Sequence, residues 1–425
     1  MTELTETILI ADVKIGMFIK LDLKWFEHSF PVNSFKITKQ SELDQLRALK
    51  LQHIRYIPSK SDLTNNPPTL PGNVTPTVEA NTAKVYDSLQ EAKQARLEKI
   101  KQQQSEIARI EAKFANAAHT VQNIKRMIFA KPQETLQEAS KLVDGIAEVF
   151  QDEDFNLMYL IQQAGTKDEL YFHSLNVSVL SMTLAHEMKC SPAQIKEVGM
   201  AGLFHDVGKF NVPDQILNKK EMLNRAEQNF VELYPQYGLE IGKKAGMSKI
   251  TLDVILKHHE YIDGSGYPAY LRGEALLMPV RIVSVANAYD NLCNHIDVNQ
   301  SLTPHEALSN MFVHRRKQFD MSILTTLVKM LGIYPPGTLV ELSNGQVGLV
   351  VNVTIGEPMR PQVLIYDKDV HQDEAVIMDL STESKEIFIA NSMRPGSVRP
   401  EIITYLNFRK KINYYVDKKK INGSN

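Results

Sequence analysis

The sequence predicts a multidomain chain with a mainly α-helical central domain. A small α/β domain and a long helix precede that domain, and a small β-rich C-terminal extension follows it. Three observations carry this expectation. At 425 residues the chain exceeds what one ordinary core fills. Helical patterning dominates from Pro132 to Leu331, with strand patterning before and after it. The stretch "SDLTNNPPTLPGNVTPT" holds too little apolar surface to bury and reads as a linker.

The elements follow in order. In a domain at 1–62, "TILIADV" and "MFIKLDL" have strand composition about a turn at Lys14 to Gly16; "KQSELDQLRALKLQ" is helical and "HIRYIP" is a short strand. The linker takes 63–79. Residues 80–131 read as one long helix, without proline or glycine from Ala80 to Ala130. Ile100, Ile107, Phe114, Val121 and Ile128 recur every seven residues, with Ile110, Ala117 and Ile124 between them. Such a seam over 100–128 fits a coiled coil that makes the chain a homodimer, and equally a long helix packed on its own domain.

The central domain is expected at 132–335. Two helix starts are marked, "SPAQ" at 191 and "TPHE" at 303, each an N-cap hydroxyl, a proline at the first helical position and Gln or Glu at the third. From Gly337 the period changes. The extension at 336–408 is expected to hold a hairpin about Asn344–Gly345 and strands at "QVLIYD" and "EIFIA". The tail at 409–425 contains "RKKINYYVDKKK" and reads as a solvated basic terminus. No repeat of solenoid or propeller period is present.

Composition excludes several function classes. Apolar content of 43%, charged content of 23% and a net charge of −2 describe a globular protein with no bulk affinity for nucleic acid polymers. No run of about 18 apolar residues is present, so no membrane span is expected. Two cysteines form no disulfide framework, and no signal-peptide pattern opens the chain. A cytoplasmic protein is expected.

The chemistry begins with "GLFHDVGKF" at 202–210, which sets His205, Asp206 and Lys209 among apolar neighbours. Buried charge is costly unless paired or bound to a metal, so the stretch is either an ion-pair network or a metal and phosphate site. In "KDELYFHSLNV", Glu169 and His173 lie four apart and share a helix face. His258 and His259 adjoin in "LKHHEYIDGSGYP". Imidazoles with carboxylates suit Fe, Mn, Zn or Ni, and a bridging Asp206 could hold two ions for phosphoester hydrolysis. A lone histidine on an apolar helix is more often a hydrogen-bonded core residue. The other eight of the twelve histidines have no such neighbours and read as core or surface residues.

The combination "HxxxV", "HDVGK" and "HHEYIDGSGYP", running from about Leu142 to Gly332, resembles the HD-GYP family of the HD superfamily, metal-dependent phosphodiesterases that hydrolyse cyclic di-GMP. "VKIGMFI" with Trp25 is similar to a small domain often fused ahead of it, and the β-rich end to an extension that follows it. The resemblance implies a centre of two or three divalent transition metal ions on Glu169, His173, His205, Asp206, His258 and His259, with Asp206 and Lys209 as catalytic residues. Lys209 would contact a phosphate. Asp263, Gly264, Gly266, Tyr267 and Pro268 would form a substrate loop whose glycines allow positive φ and close approach to ligand, and which offers a surface to signalling partners.

Three departures are implied with it. Tyr234 stands where the family has a metal-binding histidine, and Asn287 where it has an aspartate. Ile296 and Asn299 replace a basic pair. A phenol ligates well only as phenolate, and Asn removes a negative charge, so weakened activity is expected. Three functions follow: a cyclic dinucleotide phosphodiesterase of bacterial second-messenger signalling, an inactive module acting through partners or ligand binding, and a hydrolase of another phosphoester.

Overall fold

The computed structural model describes residues 5–23, 30, 34–49, 51–61, 98, 105, 109, 112–124, 126–151, 155–162, 169–217, 219, 221–295, 300–353, 357–368, 370, 372, 375, 377–406 and 411–418. The chain divides into two compact units, residues 1–105 with 367–375, and residues 106–366 with 376–425.

In the first unit β1 (Glu6–Leu9), β2 (Phe18–Lys20), β3 (Ser34–Lys36) and β4 (His53–Tyr56) form an antiparallel sheet in the order β1-β4-β2-β3, with α1 (Gln40–Ala48) between β3 and β4. Ile19, Leu46 and Ile54 meet in its core. The strand expected across "TILIADV" ends at Leu9, because Ile10–Asp12 turn into a 3-10 helix. Gly16 takes φ +94° in the expected turn. Strand β3 was not foreseen.

The second unit is mainly helical. Its helices are α2 (112–124), α3 (Pro132–Ala147), α4 (Glu169–Glu187), α5 (Pro192–Phe204), α6 (Asp214–Leu217), α7 (Arg225–Val231), α8 (Tyr234–Ala245), α9 (Lys249–Lys257), α10 (Met278–Cys293), α11 (Pro304–Ser309) and α12 (Met321–Leu331). Helix α4 lies at the centre, against α5, α10 and α12. It buries every residue from Ser174 to Ala185, on all sides of its axis, as a core helix does. Helices α5 and α11 open on the capping boxes read from sequence: Ser191 with Gln194, and Thr303 with Glu306.

The heptad seam is resolved in favour of the packed helix over its described part. Phe114, Ala117, Val121, Ile124 and Ile128 belong to the unit's own core, together with Val143 and Leu175. Over 114–128 that apolar stripe is already covered within the chain. A seven-residue period names a stripe and leaves its partner open. Ile100, Ile107 and Ile110 lie outside the described residues.

A second correction concerns the tail, and with it a strand not foreseen within the mainly helical stretch 132–331. β5 (Phe155–Gln162) interrupts the helices and pairs antiparallel along its whole length with β11 (Lys411–Lys418), from Phe155↔Lys418 to Gln162↔Lys411. The basic tail is thus a strand over 411–418. Its partner lies some 250 residues upstream in sequence, beyond the reach of local patterning.

The extension is an antiparallel sheet of β6 (Leu339–Leu342), β7 (Val347–Asn352), β8 (Gln362–Ile365), β9 (Ile377–Asp379) and β10 (Ile389–Met393), in the order β10-β6-β7-β8-β9. The hairpin turns at Asn344–Gly345, with Gly345 at φ +80°. Val340, Val350 and Val363 bury on one face. Leu339 and Leu349 bury on the other, against Ile402 of α13 (Pro400–Tyr405). Among the described residues no helix is long and apolar enough to cross a membrane.

Candidate metal centre

Three helix ends and the second turn of a fourth helix deliver the polar side chains into this apolar unit. His205 caps the C-terminus of α5, Asp206 follows it, Tyr234 opens α8, and His258 caps α9. His173 comes from the first turns of α4. Gly208 of "HDVGK" explains how α8 comes so close: a Cβ there would sit 1.9 Å from the carbonyl oxygen of Tyr234. The motif's glycine is a packing requirement.

His173 Nε2, His205 Nε2 and one carboxylate oxygen of Asp206 converge. The two nitrogens are 3.2 Å apart, and each lies 3.5 Å from Asp206 Oδ2. The far ring nitrogens set the tautomers. His205 Nδ1 donates to the Gly202 carbonyl at 2.7 Å, and His173 Nδ1 donates to Asp290 Oδ2 at 2.6 Å. Both Nε2 atoms then carry lone pairs that face each other, an arrangement that calls for a cation between them. The other Asp206 oxygen, Oδ1, is buried without a hydrogen-bond partner, 3.7 Å from His258 Nε2. This donor set fits a divalent transition metal.

Electrostatics agrees with that fit. Burial pushes His205 and His258 down to about 3, and holds His259 well below the usual histidine range. All three rings are neutral and able to ligate at ordinary pH. Burial opposes the charge on Asp206, yet His205, Lys209 and the other imidazoles hold its carboxyl well below the usual carboxylate range. Lys209 Nζ donates to Asp206 Oδ2 at 2.5 Å. Tyr234 is pushed well above the usual phenol range, by burial first and by the Asp206 charge second.

His258 and His259 stand apart from the triangle, joined by Tyr234. Its Oη lies 2.5 Å from His258 Nε2 and 2.6 Å from His259 Nε2. The His259 ring stacks on Tyr267, with centroids 4.6 Å apart. Asn287 is buried, and its side-chain oxygen accepts from Asn291 Nδ2 at 2.7 Å. Glu169 begins α4, but its side chain lies outside the described residues, as do Ile296 and Asn299.

The loop carrying Asp263, Gly264, Gly266, Tyr267 and Pro268 is built on its own contacts. Asp263 Oδ1 accepts from the backbone N–H and the hydroxyl of Ser265, and Gly264 takes φ +80°. At Gly266 a Cβ would meet the His259 carbonyl oxygen at 2.2 Å, so its close approach is to the chain itself. The Tyr267–Pro268 bond is cis.

Two carboxylates escaped the sequence reading. Asp290, fully buried on α10, orients His173 and accepts from Asn176 Nδ2 at 2.8 Å. Glu260, also buried, accepts from the backbone N–H groups of Ala269 and Leu271 and so fixes the loop beyond Pro268. The available signal was a carboxylate inside an apolar segment, at "VANAYD" and at "HHEYI". Away from the centre, His305 donates to the Ile333 carbonyl and stacks on Tyr334, and His186 stacks on Phe150, as core histidines do.

Comparison with known proteins defines the class. The family described as HD domain matches residues 123–323, the domain of unknown function DUF3391 matches 5–139, and a KOW domain associated with HD domains matches 339–400. A cyclic di-GMP phosphodiesterase of Pseudomonas aeruginosa is 28% identical over 84% of this chain and 84% of its own length. One of Borreliella burgdorferi is 24% identical over 52% of this chain and 60% of its own. A 3'3'-cGAMP-specific phosphodiesterase of Vibrio cholerae is 29% identical over 38% of this chain and 35% of its own. A solved HD-GYP-like protein of Bdellovibrio bacteriovorus aligns at 18% identity and TM-score 0.42, over 76% of this chain and 98% of that one. The chain thus carries an HD domain, with a DUF3391 domain ahead of it and a KOW domain behind it.

Proposed function

We propose that the chain is a metal-dependent phosphodiesterase acting on cyclic di-GMP or a related cyclic dinucleotide, with weakened turnover. The observation that carries this reading is the buried triangle of His173, His205 and Asp206, whose three donor atoms face one point. Its relatives named for cyclic di-GMP and 3'3'-cGAMP hydrolysis support the substrate class.

A divalent ion on these residues would supply Lewis acidity toward a phosphoryl oxygen and make water acidic near neutral pH. His173 and His205 would hold it through Nε2, their Nδ1 protons fixed by Asp290 and the Gly202 carbonyl. Asp206 brings the negative charge, and Lys209 beside it is placed to meet a phosphate oxygen. Tyr267, stacked on His259, presents an aromatic face at the loop. Tyr234 and Asn287 replace charged or imidazole donors, which supports weakened turnover. That same feature favours, as a second reading, a module that binds the dinucleotide without turning it over. With free thiols at Cys190 and Cys293, the reading places the protein in the cytoplasm.

The test is incubation of the metal-supplemented full chain with cyclic di-GMP, followed by chromatography of linear product. Wild type is expected to hydrolyse it slowly. Asp206→Ala should lose both bound metal and product, by at least 100-fold in rate. Product formed equally by wild type and Asp206→Ala would sink the reading. Binding of cyclic di-GMP without any product in wild type would establish the module instead.

A further inference from the structure

The distances within the centre divide it into two unlike halves. Two donors that each sit about 2.0–2.1 Å from one ion are about 2.9–3.4 Å apart, depending on whether they subtend a right or a tetrahedral angle. The triangle of His173 Nε2, His205 Nε2 and Asp206 Oδ2, with edges of 3.2, 3.5 and 3.5 Å, has about that size. The other half does not. Tyr234 Oη lies 2.5 and 2.6 Å from the Nε2 atoms of His258 and His259, which is hydrogen-bonding distance and too short for either pair to share an ion.

The protons on this second half can be assigned from its contacts. His258 Nδ1 faces the carbonyl oxygens of Ile255 at 3.0 Å and Val254 at 3.2 Å, so it carries the ring proton and Nε2 is an acceptor. The Tyr234 hydroxyl therefore donates to His258, and His259 Nε2 donates to the Tyr234 oxygen. The lone pair of His258 that would take a metal is occupied by a phenol proton. Tyr234 is also held in place: it is 1% exposed, its carbonyl abuts Gly208, and Lys209 Nζ lies 5.2 Å from its ring centroid.

We propose that Tyr234 closes the second half of the centre, so that the chain holds one divalent ion on His173, His205 and Asp206 while hydrogen bonds hold His258 and His259 away from metal. This rests on the metal-centre reading above and goes beyond it in assigning the ion count and a blocking role to one side chain. It also identifies what the block hides. Asp206 Oδ1, buried and without a hydrogen-bond partner, faces His258 and would join His258 and His259 as three donors for a second ion once the hydroxyl is gone.

The experiment is calorimetric titration of the chelator-treated full chain with Mn²⁺, repeated with Co²⁺ and followed by visible absorption. Wild type is expected to take one equivalent. Tyr234→Phe, which keeps the buried ring and removes the oxygen, is expected to take two, and Tyr234→His also two. Circular dichroism checks that both variants are folded, and either one suffices for the test. Two or more equivalents in wild type would overturn the proposal and leave the metal-centre reading standing. One equivalent in wild type and in both variants would overturn the blocking role of Tyr234. No binding in wild type would overturn the metal-centre reading and this proposal together. A phenolate-to-metal absorption band on adding Fe³⁺ to wild type, absent from Tyr234→Phe, would show Tyr234 to be a ligand and overturn the proposal.

Discussion

A histidine in a core has a neutral ring that is easily kept and a charged one that is not. His205 and His258 are held down to about 3 when folded, against a reference near 6.5, with burial the leading cause. As pH falls below about 6.5 the unfolded chain takes up these protons and the folded chain does not. Stability from this source is therefore complete above about pH 6.5 and is lost progressively as the pH falls toward about 3. The melting temperature of the metal-free protein should fall steeply between pH 7 and pH 5, measured by scanning calorimetry. A flat profile would show that the rings are already charged in the fold. At this scale the His205–Asp206 pair was legible because its oddity is local, two polar residues between Phe204 and Val207. Asp290 was not, because its partner His173 lies 117 positions away.

An apolar stripe on a helix states that something covers it, and the covering element is a separate question. Helix α2 puts Phe114 against Phe172 of α4, centroids 5.6 Å apart and nearly parallel, one residue from His173. The seam that could have joined two chains instead supports the centre. Phe114→Ala should cost about 3–5 kcal/mol of unfolding free energy, the usual loss for a truncated core aromatic. It should leave the sedimentation coefficient of the folded protein unchanged. Urea unfolding and sedimentation velocity check the two halves of this expectation. A dimer-to-monomer change with stability intact would restore the coiled-coil reading. The capping boxes at Ser191 and Thr303 and the turn at Gly345 were legible, since each is complete within four residues. Strands β3, β5 and β9 were not, because short strands acquire their meaning from partners elsewhere in the chain.

At the scale of the whole molecule, β11 returns across the chain to pair with β5, just ahead of α4. Removing residues 407–425 should leave β5 without its eight paired partners. Hydrogen exchange of the amides at 155–162 should then accelerate by at least tenfold, while exchange in the first unit stays as it was. Unchanged exchange at 155–162 would show that β5 stands without the tail. By itself the sequence determined the class of the protein: helical patterning between two β-bearing regions, and histidine–carboxylate pairs in motifs short enough to be read as units. Both follow from local physics, since periodicity and motif spacing need no distant partner. The tertiary structure alone decided which groups meet: that Asp290 orients His173, that Tyr234 joins His258 to His259, and that the heptad stripe turns inward. A hydrogen bond is set by tenths of an ångström between residues far apart in the chain, and only the packed core brings them within that range.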